Sequence, residues 1–391
     1  TAVYTRFRDE GGANGDIVES LEGALRVRRV VNNFDQRNPL TRNALYDRGL
    51  QRDFRAFLDE VRPDVVHVHH LAGHSLALAE AVRERRIPLV LQLQDWWTAC
   101  ARANLLDARE RLCSGPGLVK CGDCLPLTRL RPRWVTNAAL YALRRGLARR
   151  LVLRADARVA GSAFVIDSLR PLGTLGDAPV SVLPYGVPLA DEARTSPPGS
   201  SSRSVPRPEP PVLPLRLGFI GSILPHKGLH VAAAACRSLP PRSVTLEVWG
   251  DSSFAPDYTA RVRELAGSAT VRFHGRFDEH ERRAVVESLD LLVVPSLGLE
   301  SFGLVAWEAI HAGVPVVCSD RLPLAEAVRE GGFGAVYEAP SSDELTRILG
   351  GVVADPSIVA SWRARLPMVK AWSTHAAEIE RVYDQVVAAA R

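Results

Sequence analysis

Lysine is nearly missing from this 391-residue chain: among 49 basic residues only Lys120, Lys227 and Lys370 are lysines, and the others are arginines. That bias points to a GC-rich bacterial genome and makes each retained lysine informative. No run of eighteen or more apolar residues occurs, which argues against a membrane-spanning helix, and the first residues carry no signal-peptide pattern. The default location is therefore cytoplasmic. No short-period internal repeat is visible either. What is present is an ordinary globular balance: 46% hydrophobic residues, a net charge of +5, and a length too great for one core. Two domains are expected.

Short apolar runs alternating with amphipathic stretches predict two parallel α/β units. In the first half, Asp64–His69, Pro88–Leu93, Asp156–Ala160 and Val180–Leu183 read as strands, with a helix from Ser75 to Arg86. Residues 191–214 lack periodicity and carry seven prolines, which predicts a linker. A second unit repeats the pattern from Leu215 to about Leu349, and amphipathic helices close the chain. The predicted domains are 1–190, a linker 191–214, 215–370, and a terminal helix 371–391. The carboxyl ends of two doubly wound sheets are where such domains hold a ligand.

One stretch of the second half carries chemistry. Glu300 precedes a predicted helix and Glu308 lies inside it, with Ser301, Phe302 and Gly303 between. Backbone N–H groups at a helix start, here those of Ser301 to Val305, attract anions such as a diphosphate. Glu308 could then accept hydrogen bonds from ribose hydroxyls and Glu300 from a second sugar, which describes a nucleotide-sugar site. Lys227 follows Gly221 by the spacing Gly-x-x-x-x-x-Lys-Gly, and an ammonium approaches phosphate oxygens closely. Asp290 reads as the residue that starts a strand, and Cys236 and Cys318 read as small core residues.

With Pro295-Ser-Leu-Gly-Leu-Glu300-Ser-Phe-Gly303 through Glu308 and Gly313-Val-Pro315, the chain resembles the retaining glycosyltransferases of family 4. Leu217-Gly-Phe-Ile-Gly221 through Lys227-Gly228 is similar to that family's first donor-domain strand and phosphate loop. Leu246–Gly250, Val271–Gly275 and Asp290–Ser296 are similar to its next strand ends. The resemblance runs from about residue 60 to the end. It implies an α/β GT-B fold of two Rossmann-like domains facing across a cleft, with the last helix crossing back to the first domain. It further implies metal-independent hexosyl transfer with retention, from a nucleotide-diphosphate sugar to a glycan, lipid-linked or small-molecule hydroxyl, the leaving diphosphate acting as base. No catalytic cofactor is expected, and polysaccharide biosynthesis is the expected setting.

The implied donor residues are Lys227, Glu300 and Glu308, with Gly221, Ser222, Gly250, His274, Gly275 and Ser301, Phe302, Gly303, Leu304, Val305. Phe273 to Arg276 would approach the base. The acceptor-side residues are His70, Gln94 and Asp95. Three departures stand out. Ser222 replaces an arginine common in the family, which shifts the demand to Lys227, His226 or an arginine from elsewhere. Gln94 replaces the histidine of the usual His-Asp pair and cannot become cationic. The chain opens Thr-Ala-Val-Tyr-Thr-Arg without the family's opening strand and helix, so the first β-α unit is expected to be missing, and Gly11–Gly15 reads as a surface turn.

Cys100, Cys113, Cys121 and Cys124 are spaced C-x12-C-x7-C-x2-C, a pattern suited to a structural zinc or to redox-active thiols, in a loop at 100–124. His67, His69, His70 and His74 crowd a strand end; strand alternation is expected to send them to opposite faces, as buried partners plus one or two cleft residues. Residues 129–158 hold nine arginines among apolar residues, readable as a helix on an anionic membrane or as a packed helix with a solvated arginine face. Competing functions are a non-catalytic nucleotide-sugar-binding scaffold, a same-fold epimerase, and a basic zinc-containing nucleic-acid module. Paired cleft glutamates oppose the last, so no nucleic-acid partner is expected.

Overall fold

The computed structural model describes residues 1–391 except 8, 10, 34–44, 72–73, 128–130 and 189–209. The predicted linker therefore lies largely outside the described residues. Two compact units are present. The first comprises residues 1–108, 113–183 and 378–391, and the second residues 109–112 and 184–377.

The first unit opens with strands β1 (Ala2–Phe7), β2 (Ile17–Glu22) and β3 (Leu25–Val31), paired in the order β1-β3-β2, with β1 parallel and β2 antiparallel to β3. Gly11–Gly15 forms the turn region between β1 and β2, as its glycines suggest. Strands β4 (Val66–Val68), β5 (Leu89–Leu93), β6 (Ala157–Ala160) and β7 (Ser181–Val182) form a separate parallel sheet in that order. A groove of about 910 Å³ runs between β1 and β4 and is lined along both strands, with Phe54, Phe57 and Tyr383 among its walls. All five residues of β5 are buried, the pattern of a strand covered on both faces. The end of helix Trp372–Ala390 packs Ile379, Val382, Tyr383 and Val386 against Val90 and Val159.

The second unit is a six-stranded parallel sheet of β8 (Leu215–Ile220), β9 (Val244–Trp249), β10 (Thr270–Gly275), β11 (Leu291–Val294), β12 (Val316–Ser319) and β13 (Gly334–Tyr337). Its order is β10-β9-β8-β11-β12-β13. Successive side chains leave a strand on opposite faces. Leu291 and Val293 accordingly join one core with Leu217, Phe219, Leu246 and Val248, while Leu292 and Val294 join another with Val316, Cys318, Ala306 and Ile310. Burying both faces explains why β9, β11 and β12 are buried at every position. The sheet order reverses between β8 and β11, and in open parallel sheets ligands bind outside the strand ends at such a reversal.

Candidate functional site

The loops that leave β8 and β11 flank that reversal, and each carries sequence-predicted residues. After β8 the chain passes Gly221 and a single 3-10 turn, Pro225–Lys227, into helix Leu229–Arg237. After β11 it passes Pro295 to Gly303 into helix Leu304–His311. The loops are tied by backbone bonds, with Leu297 N–H donating to the His226 carbonyl at 2.9 Å. Gly228 makes that approach possible. Its φ is 73°, and a Cβ there would lie 1.8 Å from the Pro295 carbonyl oxygen.

Lys227 Nζ donates to Glu300 Oε1 at 2.7 Å, and Ser296 Oγ donates to the same oxygen at 2.6 Å. Glu300 is also placed by its own N–H, which donates to the Arg321 carbonyl at 2.9 Å. Helix Leu304–His311 starts from Gly303 in the left-handed conformation and has no capping side chain, so its first amides are not claimed by a side chain at the cap. On its first turns, Glu308 Oε1 accepts from Arg282 Nη1 at 2.5 Å, and Arg282 also reaches Glu279 at 2.6 Å. Burial raises the Glu308 carboxyl above the ordinary glutamate range, while the Arg282 charge opposes that rise. Thus Lys227 and Glu300 meet directly, whereas Glu308 pairs with a different cation.

The ends of β8, β9 and β10 step together through glycines. Gly221 N–H donates to the Trp249 carbonyl at 3.0 Å, and Gly250 N–H to the Gly275 carbonyl at 2.8 Å. At Gly221 a Cβ would meet no atom within 4 Å, so open space adjoins this strand end. His274 Nε2 lies 2.6 Å from Glu247 Oε2, and its ring stacks on Trp249 at 4.5 Å. A carboxylate only accepts, which puts the hydrogen on Nε2. Asp290 is a strand-start clasp, accepting from the Arg216 amide at 2.8 Å and lying 3.4 Å from its guanidinium.

In the first unit, His70 Nε2 lies 3.0 Å from Asp95 Oδ2, and Asp95 Oδ1 accepts from Trp97 N–H at 2.6 Å. Gln94 follows β5 and is exposed. His74 is buried, and burial first, then the Arg6 and His70 charges, push its imidazole down to about 4. The expectation that the strand histidines diverge needs correction. His67 and His69 stack with ring centroids 4.0 Å apart, because residues two apart share a face, and His67 Nδ1 lies 2.7 Å from Tyr383 Oη.

Residues 129 and 130 lie outside the described residues, and helix Arg133–Arg154 buries Tyr141, Arg144, Ala148, Leu151 and Val152 along one stripe. Trp134 and Leu143 remain exposed. Among the described residues no helix is long and apolar enough to cross a membrane.

Comparison with known proteins covers both units. The family model described as Glycosyl transferases group 1 matches residues 207–366, which include Lys227, Glu300 and Glu308. The Glycosyltransferase Family 4 model matches residues 3–191, which include His70, Asp95 and the cysteines at 100, 113, 121 and 124. The chain has glycosyltransferase group 1 and family 4-like domains. A phosphatidyl-myo-inositol mannosyltransferase of Mycolicibacterium smegmatis is 32% identical over 171 residues, 41% of this chain and 42% of that protein. The match thus spans less than half of that relative. Among solved structures, sucrose-phosphate synthase from Thermosynechococcus elongatus has a TM-score of 0.64 at 19% identity, covering 99% of this chain and 89% of that one. HepE from Anabaena, solved in complex with UDP and glucose, has a TM-score of 0.61 at 19% identity, covering 92% and 86%. These likenesses show the fold of both glycosyltransferase domains, which is GT-B.

Arg282, Glu247 and Ser296 were not singled out in the sequence. Ser296 carried a local signal, since it ends the β11 run four residues before Glu300. Glu247 was an acid inside an apolar strand, which calls for a buried partner. Arg282 had no local signal, because its distance to Glu308 is set by the packing of two separate helices.

Proposed function

We propose that the chain is a retaining glycosyltransferase that moves a hexosyl group from a nucleotide-diphosphate sugar to a hydroxyl of a glycan, lipid-linked or small-molecule acceptor. The single observation that carries the reading is the Lys227–Glu300 pair at the sheet reversal, beside the uncapped start of helix Leu304–His311. In this reading the diphosphate lies against the amides of Ser301 to Val305 and the open edge of Gly221 and Ser222. Lys227 swings from Glu300 to a phosphate oxygen, which frees Glu300 to accept from a sugar hydroxyl. Glu308, held by Arg282, accepts from the ribose. Gly250, His274 and Gly275 border the base.

The reaction breaks the bond between the sugar's anomeric carbon and the diphosphate oxygen, with the electron pair leaving on the diphosphate. The acceptor oxygen bonds that carbon from the same face, and its proton passes to the departing phosphate oxygen. Positioned cations and amides stabilise the charge that develops, commonly the largest contribution to such a step. His70, Gln94 and Asp95 are assigned to the acceptor side, and catalysis is proposed to need no metal. That the Mycolicibacterium relative is named for mannosyl transfer to phosphatidyl-myo-inositol favours a lipid-linked acceptor, as do exposed Trp134 and Leu143 on an arginine-rich helix that could rest on an anionic membrane. The test is the anomeric configuration of the product made from a donor sugar, read by nuclear magnetic resonance. Retention is expected. Inversion, or conversion of donor without any acceptor, contradicts the reading.

A further inference from the structure

The segment between Trp96 and Leu127 contains four of the six cysteines, and it buries Trp96, Trp97, Leu105 and Leu106 as well as Leu127. Its satellite cluster has two buried residues, Leu127 and Tyr141, with Ala101, Cys121, Leu125 and Leu140 packed against them. All four cysteines are free thiols.

Backbone and sulfur contacts draw them around one loop. Cys121 and Cys124 are three apart on helix Leu118–Cys124 and so share a face. Cys121 Sγ accepts from Gly117 N–H at 3.3 Å, and Cys113 Sγ donates to the Gly115 carbonyl at 3.3 Å, two residues away. Cys113 N–H donates to the Leu105 carbonyl at 2.7 Å, while Cys124 Sγ lies 4.0 Å from the Leu106 carbonyl. Cys100 adjoins Ala101, which packs in the same cluster as Cys121. Beside them sits the buried Arg144, 6% exposed, whose guanidinium donates to the Trp97 carbonyl. The groups near it that can carry negative charge are Cys100, Tyr141, Cys121 and Asp95.

We infer that Cys100, Cys113, Cys121 and Cys124 bind one zinc ion as four thiolates, with Arg144 offsetting the charge of the complex. Four thiols lose four protons and the divalent ion takes their place, leaving a net charge of two minus. A buried guanidinium beside it reduces the cost of holding that charge away from water. The amide of Gly117 donates to a ligand sulfur, the outer contact that orients a metal ligand. Among the described residues, Asp278, His280 and Glu281 are the group whose ligand atoms lie within 4.8 Å of one another, so the four cysteine sulfurs stand wider apart than in a closed site and must move together on binding. The Asp278 group is exposed, and its carboxylates are already engaged in a helix capping box.

The experiment is metal analysis of the full chain purified in chelator-treated buffer, with cobalt(II) replacement. The account expects about one zinc per chain, and cobalt spectra with the strong sulfur-to-metal and ligand-field bands of a tetrahedral thiolate site. Cys113→Ser and Cys121→Ser should each lose most of the bound metal, while Cys236→Ser and Cys318→Ser should keep it. Protein that retains no zinc and gives no thiolate bands with cobalt overturns the inference. So does mapping that finds these cysteines joined as disulfides in protein prepared without reductant. Because the readout is metal content, it is independent of whether the chain transfers sugar.

Discussion

At the scale of single residues, Glu308 holds the most chemistry. Its carboxyl is raised by burial, so the folded state binds its proton more tightly than the unfolded chain does. The stability linked to that proton is present below the ordinary glutamate value and is lost as the pH rises through the raised one. At neutral pH the ionised side chain is thus a small cost to stability. Glu308→Gln should leave the melting temperature equal or slightly higher at neutral pH, yet weaken nucleotide-sugar binding by about tenfold or more, since one charged hydrogen-bond acceptor is lost. In the unsubstituted protein, affinity should fall on acidification at a pH above that of an ordinary glutamate. Calorimetry across pH reads both effects, and a melting temperature that drops sharply with unchanged affinity would assign Glu308 a purely structural role.

Elements show why some of the site was legible in the sequence and some was not. Lys227, Glu300 and Glu308 lie on strand-loop-helix segments whose spacing is local, so the amino-acid order alone put them near strand ends. The partners Arg282 and Glu247 depend on packing and strand order that no local pattern encodes. Strand β3 was missed for a related reason: its Leu-Arg-Val-Arg-Arg-Val-Val run reads as charged, yet Arg28 is buried because Glu19, Asp53 and Glu60 all pair with it. His67 and His69 share a face because strand alternation separates adjacent residues and aligns those two apart. For the loops themselves, Gly228→Ala is the informative change. A left-handed φ and a Cβ driven into Pro295 should part the two loops and destabilise the second unit by about 2 kcal/mol or more. Chemical denaturation measures this, and a neutral result would mean that the loops do not hold each other.

On the scale of the whole molecule, the chain builds two units that interleave in sequence, because residues 378–391 belong to the first unit although they follow the second. The sequence periodicity located both α/β halves, but the division of the first half into a mixed three-stranded sheet and a parallel four-stranded sheet came from pairing that periodicity does not carry. The terminal helix contributes Val386 and Tyr383 to the packing over β5 and β6. Val386→Asp should therefore destabilise the first unit by about 2–4 kcal/mol, the cost of a charge in an apolar contact, and leave protection in the second unit unchanged. Hydrogen exchange resolved along the chain checks this, and equal loss of protection in both units would show that they unfold as one.

The central claim is that the strand ends around the β8–β11 reversal grip an activated sugar by its diphosphate. It is tested most directly by calorimetric titration of the full chain with UDP, GDP and their hexose conjugates, alongside Lys227→Ala. The account predicts saturable binding of at least one conjugate, and a loss of about tenfold or more in the variant, which retains its fold. Equal affinity in Lys227→Ala, or no binding of any nucleotide to the folded chain, would contradict it.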